Sequence, residues 1–116
     1  MLILAGKLDM TDTEFEALAG AALAAVERTI EATGLDIDIQ AKAVGLLELE
    51  FQDGSKMIIN RHAAAREIWV AAKSGGFHFG HDGTAWRNTR DGAELFAALS
   101  RLVSAQAGAS VTLTSA

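Results

Sequence analysis

From residue 35 to residue 60 the chain alternates apolar and polar side chains almost one for one. A period of two marks strands with one wet face. Leu35, Ile37, Ile39, Ala41 and Ala43 point one way, and Asp36, Asp38, Gln40 and Lys42 the other. A second strand over 46–51 places Leu47, Leu49 and Phe51 inward and Glu48 and Glu50 outward. Asp53-Gly54 is a hairpin signal, and beyond it Met57 and Ile59 alternate with Lys56 and Ile58. Strands joined by tight turns pair antiparallel, which leaves one apolar sheet face that other elements have to cover.

The covering elements stand at the two ends of the chain. Thr11 and Glu14 form a T-x-x-E capping box. Phe15, Leu18, Ala19, Ala22, Val26 and Ile30 then recur at helical spacing up to Gly34, which predicts a helix over 12–33. Between the hairpin and the second helix, Glu67–Ala72 reads as a strand. Gly75-Gly76 turns into Phe77-His78-Phe79, and Asp82-Gly83 turns into a short strand over 84–88. Asp91 and Glu94 read as a D-x-x-E box opening a final helix, with Leu95, Leu99, Leu102 and Val103 on one side and an end near Gly108. The tail with Val111 and Leu113 either lies against the first helix or hangs free. The predicted fold is α+β: a two-layer α/β sandwich in which two helices pack on one face of an antiparallel sheet of about six strands.

At 116 residues there is material for a single core. We assign 10–116 to one domain and read 1–9 as a flexible N-terminal extension. Those first residues hold a short apolar run with no basic stretch before it, too short for a signal peptide or a membrane span, so a cytoplasmic protein is expected. The formal charge is -5, with no Lys/Arg cluster. This argues against nucleic acid as partner and suits cations or basic protein surfaces. The absence of cysteine excludes disulfides, thiolate metal sites and thiol nucleophiles. Phosphate-binding loops, zinc-protease signatures and nucleophile elbows are missing too, so the chain reads as a non-enzyme.

Two surfaces are candidate sites. Glu16, Glu27 and Glu31 share one angular face of the first helix, because steps of eleven and four residues return to nearly the same direction. Asp36 and Asp38 stand about 6.6 Å apart on the outward side of the next strand. Oxygen ligands of this kind suit hard cations and, exposed, hold them weakly; the bland reading is a solvated acidic surface. The other surface is the open face of the sheet. If the parity holds, Trp69 and His78 face water near Asn60 and Arg61, and Trp and Arg are frequent interface anchors. If a bulge shifts it, Trp69 is core. The histidines, 62, 78 and 81, lack a chelating spacing.

These residues carry a family resemblance. Met10–Phe15, Asp36-Ile37-Asp38, the run Phe51-Gln52-Asp53-Gly54-Ser55-Lys56-Met57-Ile58-Ile59-Asn60-Arg61, Ile68-Trp69-Val70-Ala71, Gly75-Gly76-Phe77-His78-Phe79 and Trp86 resemble bacterial frataxin, in order, over 10–113. The resemblance implies an α/β sandwich and an accessory, regulatory role in iron–sulfur cluster assembly. It further implies weak binding of ferrous and ferric iron at a ridge matching Glu27, Glu31, Asp36 and Asp38. The partners implied are the cysteine desulfurase and the scaffold protein, met through a sheet face matching Asn60, Arg61 and Trp69. An iron store or detoxification protein that forms iron-dependent oligomers, rather than a monomer, is one alternative. A protein-binding regulator with incidental iron is another. Ridge positions usually acidic in that family are Arg28, Ala32 and Gln40 here, and the loop His62–Arg66 lacks the family's proline.

Overall fold

A computed structural model of the protein describes residues 10–115, so the proposed N-terminal extension lies outside the described residues. The chain order is helix α1 (Asp12–Ala32), strands β1 (Asp38–Ala43), β2 (Leu46–Glu50), β3 (Lys56–His62), β4 (Glu67–Ala72), β5 (Gly75–His81) and β6 (Trp86–Asn88), then helix α2 (Leu95–Ala107). The six strands form one sheet in sequence order, each pair antiparallel. Two helices and a six-stranded meander are the architecture expected from the alternation and turns.

The inward residues of the strands meet the helices in one core. Leu49, Met57, Ile59, Ile68, Val70 and Phe79 from the sheet pack with Phe15, Val26, Ile30, Leu95, Leu99 and Val103 from the helices. The Thr11 capping box forms as read, with Glu14 N–H donating to Thr11 Oγ1 at 3.0 Å and Thr11 N–H donating to Glu14 Oε1 at 2.9 Å. Phe15 follows directly and meets the ring of Trp86 edge-on at 6.1 Å.

Several boundaries differ from the expectation. The turn expected at Gly75-Gly76 falls at Lys73-Ser74, with both glycines paired in β5, and the short last strand begins at Trp86 rather than Thr84. β1 begins at Asp38 rather than Leu35, because Ile37 N–H turns back to the Leu35 carbonyl at 2.9 Å. Helix α2 begins at Leu95 rather than after Asp91. Asn88 N–H bonds the Ala93 carbonyl and Arg87 bridges Glu94, so 93–94 extend the sheet edge. Glu94 is the cap, accepting from Phe96 and Ala97 N–H at 2.9 and 3.0 Å, while the Asp91 carboxylate accepts from Ala93 N–H.

The tail does not hang free. Ser100 Oγ accepts from Leu113 N–H at 2.8 Å and gives its own proton to the Phe96 carbonyl at 2.7 Å. Ser104 Oγ accepts from Val111 N–H at 2.9 Å and donates to the Val111 carbonyl at 3.1 Å. Thr114 N–H reaches Thr29 Oγ1 on α1, and Leu113 is buried.

The turn before β6 has a charge-dependent stabiliser. Asp82 Oδ1 accepts from Ala85 N–H, Thr84 N–H and the Thr84 hydroxyl at 2.8–2.9 Å. These donors, led by Ala85 N–H and helped by Arg87, hold the carboxyl far below its ordinary range. A carboxyl depressed by folding adds stability above its unfolded pKa of about 4, and that share fades as pH falls toward the folded value. Asp82→Asn is therefore expected to lower the urea midpoint at pH 7 and to converge on the parent as pH falls from 4 to 2. A gap independent of pH would show that the charge contributes nothing.

Candidate functional site

The acidic ridge forms where α1 stops. Thr33 N–H and Oγ1 both return to the Ile30 carbonyl, at 3.1 and 2.7 Å, and Gly34 takes a left-handed φ of +71°. The helix thus ends with its carbonyl pole outward, and its last turn carries no basic residue. A helix C-terminus has a partial negative charge that favours cations, and Glu27 and Glu31 add two full charges beside it. Across the turn, Asp36 accepts from Gln52 Nε2 at 3.1 Å and Asp38 from Gln40 Nε2 at 3.0 Å. Neutral amides orient these carboxylates without cancelling them. The register adds a residue that reading the sequence did not assign to the ridge: Glu50 lies directly opposite Asp38 on β2.

Glu27, Glu31, Asp36 and Asp38 do not converge on one point. Two are in the helix layer, and Asp38 takes the outward side of β1. Among the described residues no group of three or more His, Asp or Glu side chains is arranged to hold a metal ion. The ridge is an exposed negative field with weak individual ligands rather than a chelating cage.

The open face of the sheet is the second feature. The parity does not slip: Ile68 and Val70 are buried, and Trp69 stands half-buried on the side away from the helices. Asn60 lies directly opposite Trp69 and His78 opposite it on the other side. Trp69 is sandwiched between two imidazoles. His62 stacks at 3.8 Å between centroids and 12° between planes, and His78 at 4.3 Å and 10°. Beneath them the buried Glu67 accepts from Trp69 Nε1–H at 2.8 Å, and the same Oε1 lies 3.8 Å from His78 Nδ1. His62 is the residue that sequence reading left unused. It lies two residues beyond Asn60, which is opposite Trp69, so the ring contact is diagonal and set by register.

Arg61 does not join this face. Neighbours along a strand point to opposite sides, and Arg61 turns to the helix layer, where Nη1 bonds Glu16 Oε2 at 2.8 Å. Its stem lies so close over Gly45 (φ +78°) that a Cβ there would fall 2.3 Å from Arg61 Nε. Arg61 thereby ties the β1–β2 turn to α1, and Asn60 and Trp69 remain on the wet face without it. His81 also lies on the helix side. It is buried against Trp86, and burial lowers its pKa. The His62–Arg66 loop, although it lacks proline, is tied: Ala65 N–H donates to His62 Nδ1 at 3.2 Å, and the Arg66 guanidinium reaches the Met10 carbonyl and Asp12.

Residues 8–109 match the family model described as a frataxin-like domain. The chain is 54% identical over 104 residues to the iron-sulfur cluster assembly protein CyaY of Dechloromonas aromatica, covering 90% of this chain and 99% of that one. It is 53% identical over 111 residues to the protein of that name from a Janthinobacterium species, covering 92% and 99%. Among solved structures, a frataxin from Psychromonas ingrahamii superposes with a TM-score of 0.83 at 33% identity, covering 90% of this chain and 99% of that one.

Proposed function

This chain belongs to the frataxin-like family, and from that membership we propose that it is an accessory protein of iron–sulfur cluster assembly. It carries no catalysis of its own and regulates its partners, the cysteine desulfurase and the scaffold protein. The observation that carries the mechanism is the uncompensated negative end of α1 together with Asp36 and Asp38. That field attracts iron as a loosely held cargo and a basic partner surface alike. Glu27, Glu31, Asp36 and Asp38 bind ferrous or ferric iron weakly and release it readily, because no three of them close around one ion. The same dispersal favours partner regulation over an iron store, which needs sites that retain the metal. Asn60 and Trp69 supply the contact that salt screens least. Arg61 contributes by fixing the end of β3. Among the described residues no helix is long and apolar enough to cross a membrane, and a cytoplasmic site of action follows from the proposed partners.

Neutralising the ridge separates the roles. The double variant Asp36→Asn/Asp38→Asn is expected to keep the parent's thermal midpoint and to lose about tenfold in desulfurase affinity at low salt, with the loss shrinking as salt rises. An NMR titration with ferrous iron, then with desulfurase, should shift residues 27–38 in the first step and both 27–38 and 60–69 in the second. If the double variant binds the desulfurase unchanged, the ridge is not its docking field. Iron-dependent oligomers with accelerated ferrous oxidation would instead favour storage.

A further inference from the structure

The helix side of the sheet keeps a cavity that neither the acidic ridge nor the Trp69 face uses. It lies between α1, the turn before β6 and the start of α2, and measures about 300 Å³. Its apolar walls include Leu18, Ala22, Ala25 and Phe96, and two rings that carry N–H groups also line it, His81 and Trp86. These two rings meet edge to face at 5.0 Å and are 9% and 6% exposed.

Both rings hold a donor that the fold leaves unused. His81 Nδ1 accepts the Gly83 N–H at 3.1 Å, so the imidazole is neutral with its proton on Nε2. Burial favours that neutral form. Neither His81 Nε2–H nor Trp86 Nε1–H has an acceptor among the described residues. No fully enclosed side-chain nitrogen or oxygen among them lacks a partner, so the two donors open onto accessible space. The cavity is the space that both rings line. An indole or imidazole N–H this deeply placed usually has a partner.

Charge at the cavity narrows what that partner is. Arg28 of α1 lines it, is exposed, and forms no ion pair among the described residues. Glu94 is the carboxylate in the lining, and its two oxygens accept from Phe96 and Ala97 N–H at 2.9 and 3.0 Å. Asp82 is turned to the backbone of its own turn and to Arg87. Glu27 and Glu31, near Arg28 on α1, weaken its field but do not pair with it. Donors thus outnumber free acceptors, which suits a group that only accepts, and an ionised carboxylate is such a group.

We propose that this cavity binds a small monocarboxylate with an apolar body: the carboxylate accepts from Trp86 Nε1–H and His81 Nε2–H beside the Arg28 guanidinium, and the body lies against Ala22, Ala25 and Phe96. Water would satisfy the donors but gains nothing from the apolar walls. The volume is at the low end for ligand pockets, so the occupant is small. The site does not depend on the docking role of Trp69, which stands on the opposite side of the sheet.

Benzoate tests the site, with benzamide as its uncharged counterpart and acetate as a carboxylate without the body. Each is titrated into the whole protein at pH 7 and constant ionic strength, and both indole N–H resonances are followed by NMR. Benzoate is expected to give a saturable shift at Trp86 and at the His81 ring, half-complete below about 10 mM, while Trp69 stays still. Benzamide and acetate should each bind at least about tenfold more weakly. Arg28→Gln, a change on the exposed side of α1, should weaken benzoate about fivefold or more. If Trp86 shows no saturable shift in that range, water alone fills the cavity and the proposal fails. Equal binding of benzamide, or of benzoate to Arg28→Gln, overturns the carboxylate; equal binding of acetate overturns the apolar body. Equal shifts at both indoles would mean contact without a site, and would overturn it as well.

Discussion

Replacing Phe15 by alanine is expected to destabilise the protein by about 3–5 kcal/mol, the range for truncating a buried aromatic ring. The ring is 1% exposed and comes from the first turn of α1, directly after the capping box. It reaches across the sandwich to Trp86 on the last strand, so its loss opens a cavity between the first and last parts of the chain. Most domains have only about 5–15 kcal/mol in total, so this change alone brings the fold near its limit. In urea the midpoint should fall by roughly 2 M, given slopes of about 1–3 kcal/mol per molar, with the slope itself unchanged. A loss below about 1 kcal/mol would mean that the ring is not the bridge between α1 and β6 that the packing indicates.

The largest effect on function is expected at Trp69. Its alanine variant should lose about 2 kcal/mol of binding to the desulfurase, or roughly thirtyfold in Kd, as truncated interface anchors do. The fold should survive, because the ring stands on the wet side of the sheet, away from the core formed by Ile68 and Val70. Truncation removes both ring stacks and the N–H donor to Glu67 together. Trp69→Phe keeps a stacking surface but no donor and should fall between parent and alanine. Calorimetry at two salt concentrations supplies the check: the Trp69 loss should persist at high salt, where the ridge loss shrinks. A change of less than twofold in Kd for the alanine variant would remove Trp69 from the interface.

Much of this molecule was legible in the amino-acid sequence, because side-chain parity is a hard rule of extended chain. The alternation at 35–60 and the turn at Asp53-Gly54 lead to the observed strands, whereas the turn expected at Gly75-Gly76 falls at Lys73-Ser74; parity alone places Trp69 and His78 outward. The errors come from reading nearness along the chain as nearness in space. Asn60 and Arg61 are adjacent, yet the sheet separates them, and Arg61 belongs to Glu16, 45 residues away. His62 lacked a signal because its ring contact is diagonal and depends on register, which local spacing does not encode. The start of α2 was misplaced for a related reason: the D-x-x-E pattern is a sound local cap, but pairing of Asn88 with Ala93 holds the backbone extended until Glu94. The ridge was legible as charge, while its spread over two layers is a property of the folded turn.

The two serines on α2 act as a vernier. Four residues of helix rise about 6.0 Å, and two residues of extended chain span about 6.6 Å. Ser100 and Ser104 therefore present hydroxyls at nearly the pitch of Leu113 and Val111, and each accepts a backbone N–H from the tail. A helix thus offers the tail the edge of a mock strand, running opposite to it, although among the described residues the sheet has six strands and no seventh. The match tolerates no slip. A shift of one residue would present Thr112 to the core and turn Leu113 to water, so the short connection through Gly108 is a gauge of length as well as a turn.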